Sequence, residues 1–162
     1  MWWGSADKGG ALEGALALIN AVERATWPTE AARAAALIDA LLDFPNTRLA
    51  AYGTLMPGQP NYALLATVGG TWVEGTVPGV RFMANGYPAF NWRPGDPRVP
   101  VSVLTSAALP EHWARLDDFE GVAYRRILVP VRLPNDTMLV ANLYEHIGSV
   151  AAPDGTRVAA AK

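Results

Sequence analysis

The most informative absence in this 162-residue sequence is cysteine, which does not occur at all. A chain without cysteine has no disulfide, no thiolate nucleophile and no cysteine-based metal site. This composition is typical of reducing compartments, so we expect a cytoplasmic protein. Histidine is nearly as scarce, because His112 and His146 are the two in the chain. Neither has a partner at a metal-binding or catalytic spacing, so the sequence predicts no metal site.

Charge and long apolar runs are also sparse. Charged residues make up 17% of the chain, and the formal net charge is −2. Because the 13 basic residues form no cluster, the composition argues against nucleic acid and anionic membrane surfaces as partners. No apolar run reaches the ~18 residues that a membrane span needs. The N-terminus has neither the basic region nor the continuous apolar region of a secretion signal.

The sequence changes character near residue 46, and we predict three parts. Residues 1–46 form a helical extension, in which residues 11–25 and 27–44 carry apolar side chains at helical spacing. Two such helices form an α-hairpin, whose apolar stripe either covers the rest of the protein or pairs with a second copy in a homodimer. Residues 47–148 form the main domain. Residues 149–162 form a tail that we expect to be flexible.

The main domain alternates short β-type runs with glycine and proline. Six strands are predicted, at residues 48–55, 70–80, 81–92, 99–107, 124–133 and 138–147. The Pro-Asn-Asp turn between the last two predicts a hairpin. Short helices are predicted at residues 60–68 and 109–121. Many short strands with few helices favour an α+β fold, built as a small mixed β-barrel or as a curled sheet.

Few residues of the main domain are suited to catalysis. The sequence has no Gly-x-Ser-x-Gly nucleophile motif, no dinucleotide fingerprint and no phosphate-binding loop. The densest carboxylate group is "LDDFEG", where Asp117, Asp118 and Glu120 precede Arg125 and Arg126. One interpretation is a solvated acidic turn paired with the arginines, at under about 1 kcal/mol per pair. In the other, one carboxylate faces an apolar cavity that raises its pKa, so that it can act as a base or acid near neutral pH.

Several segments together resemble the γ-glutamylcyclotransferase superfamily, which includes the γ-glutamylamine cyclotransferases and the BtrG-like proteins. The resemblance rests on the segments "YGTL", "PGQPN", "GYPAF", "LDDFEG", "YRR" and "ANLY", which follow one another in this order. It covers residues 48–146, whereas residues 1–46 have no counterpart in the pattern. It implies a cyclotransferase-like barrel for the main domain.

The resemblance also implies roles for individual residues. The backbone of Tyr52, Gly53, Thr54 and Leu55 would cradle the α-amino and carboxylate groups of a γ-glutamyl moiety, and Glu120 would be the catalytic residue. A strand end of this kind suits such a ligand, because glycine permits close approach and the backbone offers N–H and C=O groups without charged side chains.

The implied reaction is intramolecular. It converts a γ-glutamyl amine or γ-glutamyl amino acid to 5-oxoproline and a free amine, with Glu120 as general base and then general acid. The resemblance implies no metal, no cofactor and no covalent intermediate, and a small-molecule substrate as the partner. One alternative is a non-enzymatic module of the same fold, which binds a small metabolite or interacts through the N-terminal helices. The other alternative is a related acyl-transfer or ring-opening reaction.

Some positions keep two interpretations or depart from the family pattern. Tyr124 either binds substrate in the pocket or packs the barrel. Asn61 stands before an apolar run and is predicted to cap the following helix. Ser102 and Leu104 occupy positions where the family tends to have Glu and Tyr, so we expect the pocket to lack a tyrosine hydroxyl. The identity of the leaving amine stays open.

Overall fold

The computed structural model describes residues 8–148 of the chain. The predicted tail at residues 149–162 lies outside the described residues. The helices are α1 (Lys8–Arg24), α2 (Glu30–Leu41), α3 (Ala63–Ala66) and α4 (Leu109–Glu120), with short 3₁₀ helices at Pro45–Thr47 and Gly121–Ala123. The strands are β1 (Arg48–Ala51), β2 (Thr71–Ala84), β3 (Tyr87–Trp92), β4 (Arg98–Thr105), β5 (Tyr124–Arg132) and β6 (Met138–His146).

The strands form one sheet that closes on itself. Their order is β3-β2-β4-β1-β6-β5, and an additional pairing between β2 and β5 completes a five-stranded barrel with β3 as an extra strand. The β1–β6 pair is parallel and the other pairs are antiparallel. The predicted small mixed β-barrel is therefore confirmed, as is the hairpin of β5 and β6.

Strand β1 separates two apolar clusters because its side chains alternate between the two faces of the sheet. Leu49 and Ala51 join a cluster that also contains buried residues of α3 and α4. Ala50 and the following Tyr52 join the cluster inside the barrel, to which all the other strands contribute. The end of β1 thus lies between the barrel interior and the helices, where Tyr52 begins the loop.

The boundary predicted between the second and third strands was wrong. We expected one strand to end at residue 80, but β2 continues to Ala84 and pairs in register with β3. The turn lies at Asn85 and Gly86, whose φ angles are 51° and 83°. An Asn-Gly pair is the preferred turn of a two-residue hairpin, and the sequence contained this signal inside a segment assigned to one strand.

Helices α1 and α2 contact each other, as predicted for an α-hairpin. The side chain of Thr29 caps α2, and Pro28 lies before the helix. Arg33 of α2 forms an ion pair with Glu23 of α1 at 2.6 Å. The division at residue 46, the homodimer and the cytoplasmic location stay predictions. Within residues 8–148, no helix is both long enough and apolar enough to cross a membrane.

Candidate functional site

A cavity of about 400 Å³ opens between the end of β1, the start of β3 and the end of α4. All six residues that the sequence assigned to the site line this cavity, together with eight others. The complete lining is Leu49, Ala50, Ala51, Tyr52, Gly53, Thr54, Leu55, Asn61, Tyr87, Pro88, Phe119, Glu120, Tyr124 and Tyr144. The topology therefore brings together side chains that are up to 95 positions apart in the chain, from Leu49 to Tyr144.

Glu120 is the one carboxylate among the lining residues. It is the last residue of α4, and Gly121, with a φ of 67°, caps the helix. A left-handed φ is easily adopted by glycine, so the helix stops there and the chain turns toward β5. Burial in the cavity raises the pKa of Glu120 to about 7. A carboxylate with this pKa can accept and return a proton at neutral pH.

This burial makes a prediction about stability. The ordinary pKa of the carboxyl is 4.5, against about 7 in the folded protein. Between these values the folded state binds more protons than the unfolded state, so the free energy of unfolding falls as pH rises through this window. Glu120→Gln has no ionisable carboxyl at this position, so its free energy of unfolding does not fall in this window for this reason. We expect urea unfolding to show the variant more stable than wild type at pH 8 by on the order of 1–3 kcal/mol. The gain should disappear at pH 4, and equal stability at both pH values would contradict the burial.

Three of the four cavity tyrosines, Tyr52, Tyr124 and Tyr144, are poor candidates for the proton-transfer group. Burial, with the nearby Glu120 charge as a further cause, raises the pKa values of Tyr52, Tyr124 and Tyr144. Their hydroxyls donate to protein acceptors: Tyr52 to the backbone oxygen of Tyr144 at 2.8 Å, Tyr124 to that of Pro88 at 3.3 Å, and Tyr144 to Asp117 Oδ1 at 2.7 Å. These three side chains therefore serve as neutral walls of the cavity.

Asp117 holds Tyr144 in place from the same helix face as Glu120. Its carboxylate accepts hydrogen bonds from Tyr144 and from Arg126, whose guanidinium lies 4.4 Å from the Trp113 ring centroid. Partial burial alone would raise the pKa of Asp117, but the hydrogen bonds from Arg126 and Tyr144 outweigh it and lower the pKa. Asp117 is thus an ionised structural partner and Glu120 a desolvated carboxylate.

Pairing of both arginines with the acidic turn, one of the two interpretations of the sequence, holds for Arg126 and fails for Arg125. Arg126 pairs with Asp117, as expected. Arg125 pairs with Glu145 and not with Asp118, because Arg125 and Glu145 are cross-strand neighbours in β5 and β6. Glu145 also accepts a hydrogen bond from the backbone N–H of Trp92, which links β6 to β3.

The loop after β1 provides unused backbone donors. The carbonyl oxygens of Gly53 and Thr54 accept from Met56 and Asn61, at 3.1 and 3.0 Å. Within the described residues, the N–H groups of Gly53, Thr54 and Leu55 have no acceptor. Consecutive free N–H groups favour an anionic ligand atom, such as a carboxylate oxygen. No group of three His, Asp or Glu side chains in residues 8–148 is arranged to hold a metal ion.

The structure adds residues that the sequence argument missed or assigned differently. Asn61 lines the cavity, whereas the cap of α3 is Tyr62 and lacks a side-chain hydrogen bond. Tyr87 lies in the quoted "GYPAF" segment, but nothing in its spacing marked it as a cavity residue. Ser102 and Leu104 are not among the lining residues: the Ser102 hydroxyl donates to Glu74, and Leu104 packs in the cluster under α3 and α4. The side chains present at these two positions therefore form no part of the cavity lining.

Comparison with solved structures shows where this fold occurs. The chain is 20% identical to At5g39720.1 from Arabidopsis thaliana (TM-score 0.51), with 68% of this chain and 74% of that one covered. It is 24% identical to an aig2-like protein from Mus musculus (TM-score 0.50), with 67% and 81% covered. The match to YkqA from Bacillus subtilis has 25% identity and a TM-score of 0.52, and covers 64% of this chain but 36% of that protein.

Comparison with family models agrees with the fold. No curated protein sequence matches the chain. A family model described as "Gamma-glutamyl cyclotransferase, AIG2-like" matches residues 49–159, which is more than half of the chain and includes every residue of the cavity lining. This match confirms the resemblance that was inferred from the sequence motifs. The chain therefore belongs to the γ-glutamyl cyclotransferase, AIG2-like family.

Proposed function

We propose that the protein is a cyclotransferase that converts a γ-glutamyl amine or γ-glutamyl amino acid to 5-oxoproline and a free amine. Family membership supports cyclotransferase-type activity in general. The observation that carries the specific proposal is the pairing, in one cavity, of a single desolvated carboxylate with a run of free backbone N–H groups. The first suits proton transfer at neutral pH and the second suits an anionic substrate group.

In the proposed mechanism, ionised Glu120 removes one proton from the α-ammonium group of the substrate. The freed amine then attacks the γ-carbonyl carbon of the same molecule, and the carbonyl oxygen becomes an oxyanion. After the attack, the ring nitrogen carries two hydrogens and a positive charge. When the tetrahedral intermediate collapses, the bond to the leaving nitrogen breaks and Glu120 gives its proton to that nitrogen. The carboxylate then takes the second proton from the ring nitrogen, which leaves neutral 5-oxoproline lactam, and passes that proton to the free amine, which departs as an ammonium ion. The nucleophile and the electrophile belong to one molecule. Holding the glutamyl chain in its folded rotamer therefore removes much of the entropic part of the activation barrier.

The loop after β1 has two roles in this proposal. The free N–H groups of Gly53, Thr54 and Leu55 bind the α-carboxylate or the developing oxyanion, where fixed donors lower the barrier without reorganisation. Gly53 packs closely against Pro88, since a Cβ at position 53 would lie 3.2 Å from Pro88 Cβ. Tyr52 and Tyr124 line the same cavity as Glu120, and in this proposal their rings help to shield its carboxylate from water.

The proposal is tested by measuring 5-oxoproline release from a panel of γ-glutamyl amines and γ-glutamyl amino acids. Wild-type protein should release 5-oxoproline and the free amine in equal amounts, because both come from one cleavage. Release from no member of the panel would favour the alternative, in which the cavity binds a small carboxylated metabolite without turning it over. In that case, calorimetric titration with glutamate and 5-oxoproline would measure the binding directly.

A further inference from the structure

Helix α2 has two sides, and the one exposed to solvent is apolar. The inner side is buried or half-buried, and its Arg33 pairs with Glu23 of α1. The other side, here called the outer face, consists of five exposed residues: Ala31, Ala34, Ala35, Ile38 and Leu41. Their spacing of i, i+3, i+4, i+7 and i+10 places them along one side of the helix. The outer face therefore has no polar or charged side chain.

This arrangement reverses the usual one. A surface helix normally turns its charged residues to solvent and its apolar residues to the core. In α2, Arg33 and Asp39 are half-buried, whereas Ile38 and Leu41 are 44% and 59% exposed. Among the described elements, α1 is the one that packs extensively on α2. A contiguous apolar face left open in this way indicates a surface that another molecule covers.

Charge narrows the choice of that molecule. The single cation of α2, Arg33, is paired with Glu23 and with Glu30, at 2.6 and 3.2 Å. An anionic lipid surface is bound through free Lys or Arg beside an apolar face, and α2 has none. A charged protein surface would find no pairing group on the outer face. The surface that matches is a second apolar helix face.

The order of side-chain sizes along the outer face favours α2 of a second copy. The N-terminal half of the face is small, with three alanines, and the C-terminal half is large, with Ile38 and Leu41. When two copies pack antiparallel about a two-fold axis at the middle of α2, Leu41 of each copy lies opposite Ala31 of the other. In the same way, Ile38 lies opposite Ala34. Each large side chain then meets a small one, as a self-complementary two-fold interface requires.

We infer that the outer face of α2 is the interface of a homodimer in which α2 packs antiparallel on α2 of a second copy. The inference does not depend on the proposed activity. Between the two roles predicted for the helical extension, it selects pairing with a second copy. Helix α2 has 12 residues and is about 18 Å long, so two such faces bury an area at the low end of the range for protein interfaces. The association is therefore weak and depends on concentration.

Size-exclusion chromatography with light scattering tests the dimer on the full chain. The wild-type mass should approach twice the monomer mass at about 200 µM and fall toward it at about 2 µM, since contacts of this size associate weakly. Ala34→Glu should weaken association by at least about tenfold, because it buries two unpaired charges in each dimer. Glutamate is a good helix former and position 34 is exposed, so the monomer keeps its fold. Val122→Glu is the matched control, because Val122 is 97% exposed and lies outside α1 and α2, and it should associate like wild type.

An exchange of side-chain sizes tests the antiparallel register. Ala31→Leu places a leucine opposite Leu41 of the second copy, so it should weaken the dimer although it adds apolar surface. Adding Leu41→Ala to the same chain again sets one large side chain opposite one small one. The double variant should therefore recover association to within about threefold of wild type.

Three results would overturn the inference. If wild-type protein stays monomeric at the highest concentration, a different occupant covers the outer face. If Ala34→Glu dimerises like wild type, or if Val122→Glu loses the dimer equally, the interface lies elsewhere. If Ala31→Leu associates more strongly than wild type, the contact is non-specific apolar association and the paired register is wrong.

Discussion

Glu120→Gln should lower kcat for 5-oxoproline release by about 10²- to 10⁴-fold, the usual contribution of a general acid–base group. Glutamine keeps the size of the side chain and its place at the end of α4, but it cannot accept the proton of the α-ammonium group. Because the loop after β1, which we propose binds the substrate, is untouched, KM should change much less than kcat. Steady-state kinetics with a γ-glutamyl amide, following 5-oxoproline directly, measures both.

Asp118→Asn is the matched control for this variant. Asp118 lies in the same helical turn and loses the same charge, but it does not line the cavity. Its kcat should stay within about twofold of wild type, since surface substitutions away from the site change little. A full loss in Asp118→Asn with none in Glu120→Gln would mean that the enzyme class is right and the proposed base is wrong.

The pH profile of the wild type tests the same assignment independently. Burial raises the pKa of Glu120 to about 7, and the base must be ionised to act. The kcat/KM of the free enzyme should therefore rise with pH and level off above about 7. An acidic limb near pH 4 would instead indicate a solvated carboxylate.

Most of the strands could be predicted from the sequence because they obey a simple rule, whereas closure of the sheet into a barrel was implied by the family resemblance. Alternation of side chains, as in the run from Leu49 to Tyr52, assigns residues to two faces without reference to the rest of the chain. The end of the helix predicted at residues 109–121 was also correct to within one residue, because Gly121, at a φ of 67°, adopts at low cost a conformation that few other residues do. Both features depend on neighbours within a few positions.

What the sequence did not predict depends on pairs that are distant in the chain. The partner of Arg125 is 20 positions away, on the next strand, and was invisible to an argument from local charge. Likewise Tyr87 and Phe119 line one cavity only because the fold brings the β2–β3 hairpin to the end of α4. The chemistry of Glu120 could be inferred from family motifs, but its desolvation is a property of the assembled cavity.

Phe90→Ala should have the largest effect on stability, lowering the free energy of unfolding by about 3–5 kcal/mol. Phe90 is fully buried inside the barrel, and its ring centroid lies 5.4 Å from that of Tyr52. The ring also packs directly on the backbone of Gly79, where a Cβ would come within 2.4 Å of Phe90 Cζ. Truncation therefore leaves a void between rigid strands, which cannot collapse to fill it.

Phe119→Ala is the control for this prediction, because it truncates an exposed phenylalanine in place of a buried one. It removes the same atoms from a side chain that is 43% exposed, so unfolding by urea should show a loss of about 1 kcal/mol or less. Equal losses in the two variants would contradict the account of the barrel core. The free energy of unfolding of a domain is roughly 5–15 kcal/mol in total, so Phe90→Ala removes a large share of it. The packing that holds Tyr52 in place is part of that loss. Tyr52 begins the loop that we propose binds the substrate. The folded fraction of Phe90→Ala should therefore bind γ-glutamylmethylamide more weakly than Phe119→Ala does.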